Sequence, residues 1–280
     1  MTIGERVRGA APLPLKRSLR IATKSALPVA TRADLLRVEA RLLGLRLRHP
    51  RVPRRELRAG RDGLVRLGGV TTVVSAPHFH IDYVTIFDKL VDDQFKTDYR
   101  GAVVLDIGAH CGYLAAYALY HGAAAVLSYE PQSHNFAVLA RTRDGARLAG
   151  RHWEVHQQAV GAEEKRIELY VSRSSRSHSI IAGAEAVGSE TVEMVAFPAV
   201  LDRARALASG APVVVKLNVE GAAGEIVLGT PEAAWRAVDC LMMDWEESTP
   251  VPLARAEEHL AAAGLHRDGG AGRHYRFTRR

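Results

Sequence analysis

From Ala102 onward, short apolar runs alternate with longer amphipathic stretches, the pattern of a parallel sheet flanked by helices. The spacing predicts strands near 102–107, 124–129, 153–159, 212–217 and 237–243. Helices are expected near 112–121, 132–145, 222–228 and 252–263, with another over 81–95 leading into the first strand. Between the third and fourth strands, 166–172 and 191–196 read as extra strands of an insertion, separated by a polar run that begins at 172–179. The segment 265–280 reads as a hairpin with Gly269, Gly270 and Gly272 at its turn. Nearer the start, 58–75 alternates apolar residues with Gly60, Gly63, Gly68 and Gly69 and reads as a small hairpin. Pro12, Pro14 and Pro28 argue against one continuous helix over 1–30, which is expected to be loosely ordered. A helix is expected at about 32–48.

Composition narrows the class. A chain of 280 residues that is 47% apolar can bury a full core and suits one α/β domain with an extension. No run of eighteen uncharged apolar residues exists, and the arginine-rich start lacks the apolar core of a signal peptide. Cys111 and Cys240 are too few for a disulfide framework and read as small core residues, so a reducing cytoplasm is the expected setting.

The net charge of +7 is unevenly spread. Residues 1–66 hold 17 Lys and Arg against 5 Asp and Glu, whereas the remainder holds 21 against 26. The expected division is therefore a basic extension over 1–66, partly disordered or helical, and an α/β domain over 67–280. The extension contains no Phe, Tyr or Trp, which speaks against nucleic acid, whose bases need stacking partners. It reads as a solvated arm that could touch an acidic partner or an anionic membrane surface, with a plain surface helix as the preferred reading.

One segment carries chemistry. Val103-Val104-Leu105-Asp106-Ile107-Gly108-Ala109-His110-Cys111-Gly112 is an apolar strand running into a glycine turn, and a second apolar run ends on Glu130. A Rossmann-like βαβ unit builds a nucleoside site in this order, with the acid accepting two ribose hydroxyls. His110 stands where a dinucleotide fingerprint needs its middle glycine, and Asp106 would repel a diphosphate. Both residues favour a cationic sulfonium ligand, S-adenosylmethionine, over NAD.

Further motifs follow in order. Tyr129-Glu130-Pro131 precedes Asn135-Phe136; then come Gln158-Ala159-Val160-Gly161, Val200-Leu201-Asp202 and Lys216-Leu217-Asn218-Val219-Glu220-Gly221. With the first motif, this series resembles the FkbM-type methyltransferases over roughly residues 87–229. The resemblance implies a Rossmann-like class I methyltransferase sheet, mostly parallel with a C-terminal antiparallel hairpin. It implies S-adenosylmethionine as cofactor and methyl transfer to a hydroxyl of a sugar, glycolipid or polyketide-like small molecule. Asp106, Gly108, His110, Gly112 and Glu130 are the expected cofactor residues, joined through the resemblance by Asn135 and by the backbone of Ala159.

The sequence departs from the family pattern at three places: His110 replaces the usual Asn, Asn218 an Asp, and Ala223 an acid. Asn cannot serve as a carboxylate base, so Glu220 is the candidate base at the end of the fourth strand. Lys216 and Asn218 share its strand face and complete the expected catalytic set. A catalytically inactive protein that keeps the fold and binds a nucleoside or a partner is the alternative, favoured by Asn218 and Ala223. No metal-ligand cluster stands out, so no metal is expected. His78 and His80 fit one strand face near the site, Ser172 and its successors read as a solvated loop, and Asp244, Glu246 and Glu247 follow the fifth strand towards the acceptor side.

Overall fold

The computed structural model describes residues 13–172, 175, 186–246 and 249–279. Its first layer is helical. Helix α1 (Leu13–Thr23) and helix α2 (Val29–Arg48) precede a hairpin of β1 (Gly63–Leu67) and β2 (Val70–Val74), and α3 (Phe79–Leu90) follows. The helix over 13–23 corrects the expectation of loose order where the chain is described; residues 1–12 lie outside the described ones. Pro14 falls in its first turn, where a missing N–H costs no intrahelical bond. Pro28 stands outside α2 as its flanking residue, so each proline punctuates a helix rather than breaking one.

The basic segment is not a solvated arm over these residues. Leu35, Val38, Leu42 and Leu45 recur at helical spacing on α2 and are buried. They join Ile21, Val65, Tyr83 and Leu119 in one hydrophobic cluster that reaches the central sheet. Buried Asp34 pairs with Arg66 at 2.7 Å and with Arg37 at 2.6 Å, tying α2 to β1. A boundary between 66 and 67 would cut through β1.

The central sheet begins with β3 (Val103–Ile107), followed by α4 (Tyr113–Tyr120), β4 (Ala125–Tyr129), α5 (Ser133–Asp144) and β5 (His152–His156). The chain then leaves for a smaller sheet: β6 (Ala159–Gly161), β7 (Lys165–Ser172) and β8 (Ala186–Ala196). It returns through α6 (Phe197–Ala208), β9 (Val213–Leu217), α7 (Ala223–Gly229), α8 (Glu232–Trp235), β10 (Cys240–Asp244), α9 (Leu253–Ala262), β11 (Leu265–Ala271) and β12 (His274–Arg279). The seven-stranded order is β11-β12-β10-β9-β3-β4-β5. β3 runs parallel to β4 and β9, and β12 runs antiparallel to β10. Every residue of β3, β4, β9 and β10 is buried, as parallel strands covered on both faces require.

Four further elements differ from expectation. The strand foreseen over 153–159 is two strands, because the chain leaves the main sheet after His156 and Ala159–Gly161 pairs with β8 instead. Helices α6 and α8 were not foreseen, although buried Phe197, Val200, Leu201, Ala204 and Ala208 give α6 a helical period. Helix α3 begins at Phe79 and ends at Leu90, not 95. Among the described residues, no helix is long and apolar enough to cross a membrane.

Candidate active site

The cavity that matters opens at the carboxyl ends of β3, β4 and β9, where open α/β sheets bind ligands. At the end of β3 the backbone enters left-handed conformations at Gly108 (φ 71°), His110 (φ 55°) and Gly112 (φ 83°). A Cβ at Gly108 would collide with the carbonyl oxygen of Asn218, so no other residue fits there. The Asn218 N–H donates to the Ile107 carbonyl at 3.1 Å, locking the chain after β9 onto the turn.

Lys216 holds the turn from behind. Its Nζ lies 3.1 Å from Asp106 Oδ1, 3.0 Å from the Ile107 carbonyl and 2.5 Å from that of Gly108. Lys216 is 3% exposed and Asp106 0%, so this is a buried ion pair whose ammonium uses all three donors. Asp106 does not line the cavity. Its carboxylate faces Lys216. Gly112 is also off the cavity wall, because a Cβ there would lie 2.8 Å from Leu139 and 3.1 Å from Trp153. That glycine serves the packing of α4 against its neighbours.

The remaining cofactor candidates do meet at the cavity. Gly108, His110, Glu130, Asn135 and Ala159 all line it. Glu130 accepts from the N–H of His110 at 2.8 Å and of Gln132 at 3.1 Å. Burial outweighs these bonds and raises its carboxyl to about 7. Asn135 Oδ1 and Asn218 Oδ1 are buried acceptors without a hydrogen-bond partner among the described residues. Two orphaned acceptors on a cavity wall invite a ligand that brings donors. Ala159, Val160, Leu169 and Met194 add an apolar slot from the smaller sheet.

Sequence reasoning missed Asp82. This residue of α3 is fully buried, and its carboxylate lies 3.6 Å from His110 Nε2. It accepts from the Ser75 N–H at 2.9 Å, from the Ser75 hydroxyl, and from the Ser175 hydroxyl at 2.9 Å. Burial raises it to about 6 against the pull of those bonds. Ser175 is 2% exposed and its carbonyl accepts from Asn135 Nδ2, so at this residue the polar run is not a solvated loop. Residues 173–174 and 176–179 lie outside the described ones, as does Glu247. Asp82, His110 and Cys111 bring possible metal-ligand atoms within 4.8 Å of one another, although no metal was expected. Burial pushes the Cys111 thiol well up, against the thiolate that a metal would need. Nothing local in sequence joins Asp82 to His110; only the packing of α3 against α4 does.

The catalytic candidates Lys216, Asn218 and Glu220 line the same cavity. Glu220 sits at φ 44°, a conformation costly for a non-glycine residue. Its carboxyl is raised well above the usual carboxylate range, first by burial and then by a hydrogen bond to Glu246. Glu246 pairs in turn with Arg273 at 3.2 Å. Asp244 pairs with His274, which meets Gln94. Gln94 accepts at 2.6 Å from Lys89, a cavity-lining residue of α3 that no motif singled out.

His78 and His80 are not among the residues lining the cavity. His78 flanks α3 and His80 lies in its first turn, so the spacing of one strand face does not apply. His78 meets His134 edge-on at 5.3 Å, and His80 lies among Arg46, Arg17 and Arg54. Both are lowered to about 4, chiefly by burial.

No family model and no curated protein matches this sequence. Solved structures do. A methyltransferase FkbM from Methylobacillus flagellatus KT is similar over 98% of this chain and 60% of its own, at 13% identity and a TM-score of 0.44. This chain thus spans well under two thirds of that relative. A SAM-dependent methyltransferase from Agrobacterium tumefaciens matches over 79% of this chain and 71% of its own, at 10% identity and a TM-score of 0.40. Magnesium protoporphyrin IX methyltransferase (ChlM) from Synechocystis PCC 6803, solved with SAM, matches over 70% and 77%, at 11% identity and a TM-score of 0.35. The strand order and the single reversed strand stand independently of these likenesses. The fold is the Rossmann-like class I methyltransferase sheet.

Proposed function

We propose that the protein is an S-adenosylmethionine-dependent O-methyltransferase of FkbM type, acting on a hydroxyl of a sugar, glycolipid or polyketide-like molecule. The observation that carries the reading is the cavity wall itself. A carboxylate at the end of β4 and a glycine closed by the Asn218 carbonyl frame one end, and the orphaned oxygens of Asn135 and Asn218 face a ligand with donors. Glu130 suits the two ribose hydroxyls, Asn218 Oδ1 suits an ammonium group, and the slot at Ala159 and Met194 suits an adenine.

When bound, the cofactor supplies a methyl group on a sulfonium, which departs as a neutral thioether. Glu130, Asn135 and Asn218 would hold that cofactor, whose methyl group would pass to the acceptor oxygen while the carbon–sulfur electron pair stayed on sulfur. Glu220 takes the hydroxyl proton, and Glu246 holds its carboxyl in place through their hydrogen bond. Lys216 acts as a positioning residue, since all its donors grip the turn. Asp82 sets the His110 ring beside the cavity. Holding the acceptor in line with the methyl group removes translational and orientational freedom, the main economy open to such a site.

Calorimetry with S-adenosylmethionine and S-adenosylhomocysteine tests the cofactor assignment. Wild type should bind both, and Glu130→Ala should weaken binding at least ~100-fold, since two charge-assisted hydrogen bonds are lost. A folded wild type that binds neither ligand refutes the proposal. Binding without release of S-adenosylhomocysteine in the presence of any hydroxyl acceptor would favour the inactive, ligand-binding alternative.

A further inference from the structure

Large apolar residues on the surface are concentrated in one stretch of the chain. Of the nine exposed ones among the described residues, Leu15, Leu19, Val29, Leu43, Leu47, Val52 and Leu64 fall within 15–64. Five of these seven belong to α1 and α2. Leu15 and Leu19 stand one turn apart on α1, as do Leu43 and Leu47 on α2. Leu47 is 74% exposed and Val29 73%, values that packing against the rest of the chain does not explain.

The same two helices are cationic. Residues 13–48 carry nine Lys and Arg against two acids, Asp34 and Glu39. Both acids are buried, so the helices themselves expose cations and no carboxylate of their own, and only Arg20 and Lys24 are met by partly exposed acids, Asp92 and Asp93. The helices are also held firmly. Arg20 bonds Asp92 at 3.2 Å, Lys24 bonds Asp93 at 2.5 Å, and Arg17 and Arg20 each lie 5.5 Å from the Phe87 ring.

We propose that the outward faces of α1 and α2 dock on an anionic lipid bilayer. Leucines interspersed with Lys and Arg, without acids, match a surface whose headgroups are negative and whose interior is apolar. Nucleic acid would use the cations but not the leucines, and residues 1–66 supply no aromatic ring on which a base could stack. Docking in this way has a use. Helix α2 packs on α3, which contributes Thr85 and Lys89 to the cavity, so a membrane-borne acceptor would meet the site one helix away from the bilayer. The preferred sequence reading, a plain surface helix, did not anticipate these exposed leucines.

Co-sedimentation of the full chain with vesicles tests the proposal, using phosphatidylcholine alone and phosphatidylcholine with one third phosphatidylglycerol. Wild type should pellet with the anionic vesicles and stay in solution with the neutral ones. The variant L15S/L19S/L43S/L47S should bind at least tenfold more weakly while keeping its helical circular dichroism. If that variant fails to fold, Lys16→Glu combined with Arg48→Glu replaces it and should weaken binding to the same degree. Wild type remaining in the supernatant with anionic vesicles overturns the proposal. Undiminished binding by a folded variant does the same. Tight binding of single-stranded RNA that anionic vesicles fail to displace overturns it in favour of nucleic acid.

Discussion

Glu130 is held by two backbone N–H groups yet remains costly to ionise, because its carboxylate has no solvent. Its carboxyl is raised from the ordinary 4.5 to about 7, so between those values the folded state binds more protons than the unfolded one. Stability without ligand therefore falls as pH rises through that window, by about 3 kcal/mol from this group. Glu130→Gln should remove the slope: its melting temperature relative to wild type should climb from pH 4.5 to 7, measured by thermal scans in matched buffers. Glu220 has the opposite task, since it must lose a proton to work. Turnover should rise with pH into the alkaline range, and Glu220→Gln should lower kcat by ~10²–10⁴-fold with the cofactor Kd little changed. Such residues were half legible. Glu130 and Glu220 stand in motifs, but Asp82, Lys89 and Gln94 come from a helix and loop with no local signature. Gly112 was legible only as a glycine, because whether its missing Cβ makes room for a ligand or for Trp153 is a matter of packing.

At the scale of elements, β3 and β9 act as one unit. The Lys216–Asp106 pair crosses between them, and removing one partner strands the other charge in a dry interior. Lys216→Met should cost ~3–5 kcal/mol, and the double variant Lys216→Met/Asp106→Asn should recover a large part of it. Urea unfolding of wild type, of Lys216→Met, of Asp106→Asn and of the double variant measures the coupling. The strands themselves were easy to read, since runs such as Val103–Leu105 and Cys240–Met243 are continuously apolar. Helix α1 was not, because Pro14 argues against a helix everywhere except the first turn, and only the structure reveals which turn it occupies. The split of the third predicted strand was equally hidden. Apolar residues resume at Ala159 and Val160 after the polar run His156-Gln157-Gln158, and only the pairing shows that the partner has changed from β4 to β8.

For the molecule as a whole, the basic segment and the sheet share one hydrophobic cluster. Deleting residues 1–48 would expose Val65, Tyr83 and Ile86 and remove Leu35, Val38 and Leu42 from their neighbours. The truncated chain should lose at least ~5 kcal/mol of stability, more than most domains can spare, and should bind a hydrophobic dye that wild type excludes. Charge pattern alone could not foretell this, since buried leucines and exposed arginines alternate on the same helices. The glycine turn adds a constraint of time. The lysine that grips the Gly108 carbonyl lies 108 residues farther along the chain. On a ribosome adding about 5–20 residues per second, the turn waits roughly 5–20 s for its far wall. The two basic helices are made long before that, so a nascent chain can reach a membrane before it has anywhere to hold a nucleoside.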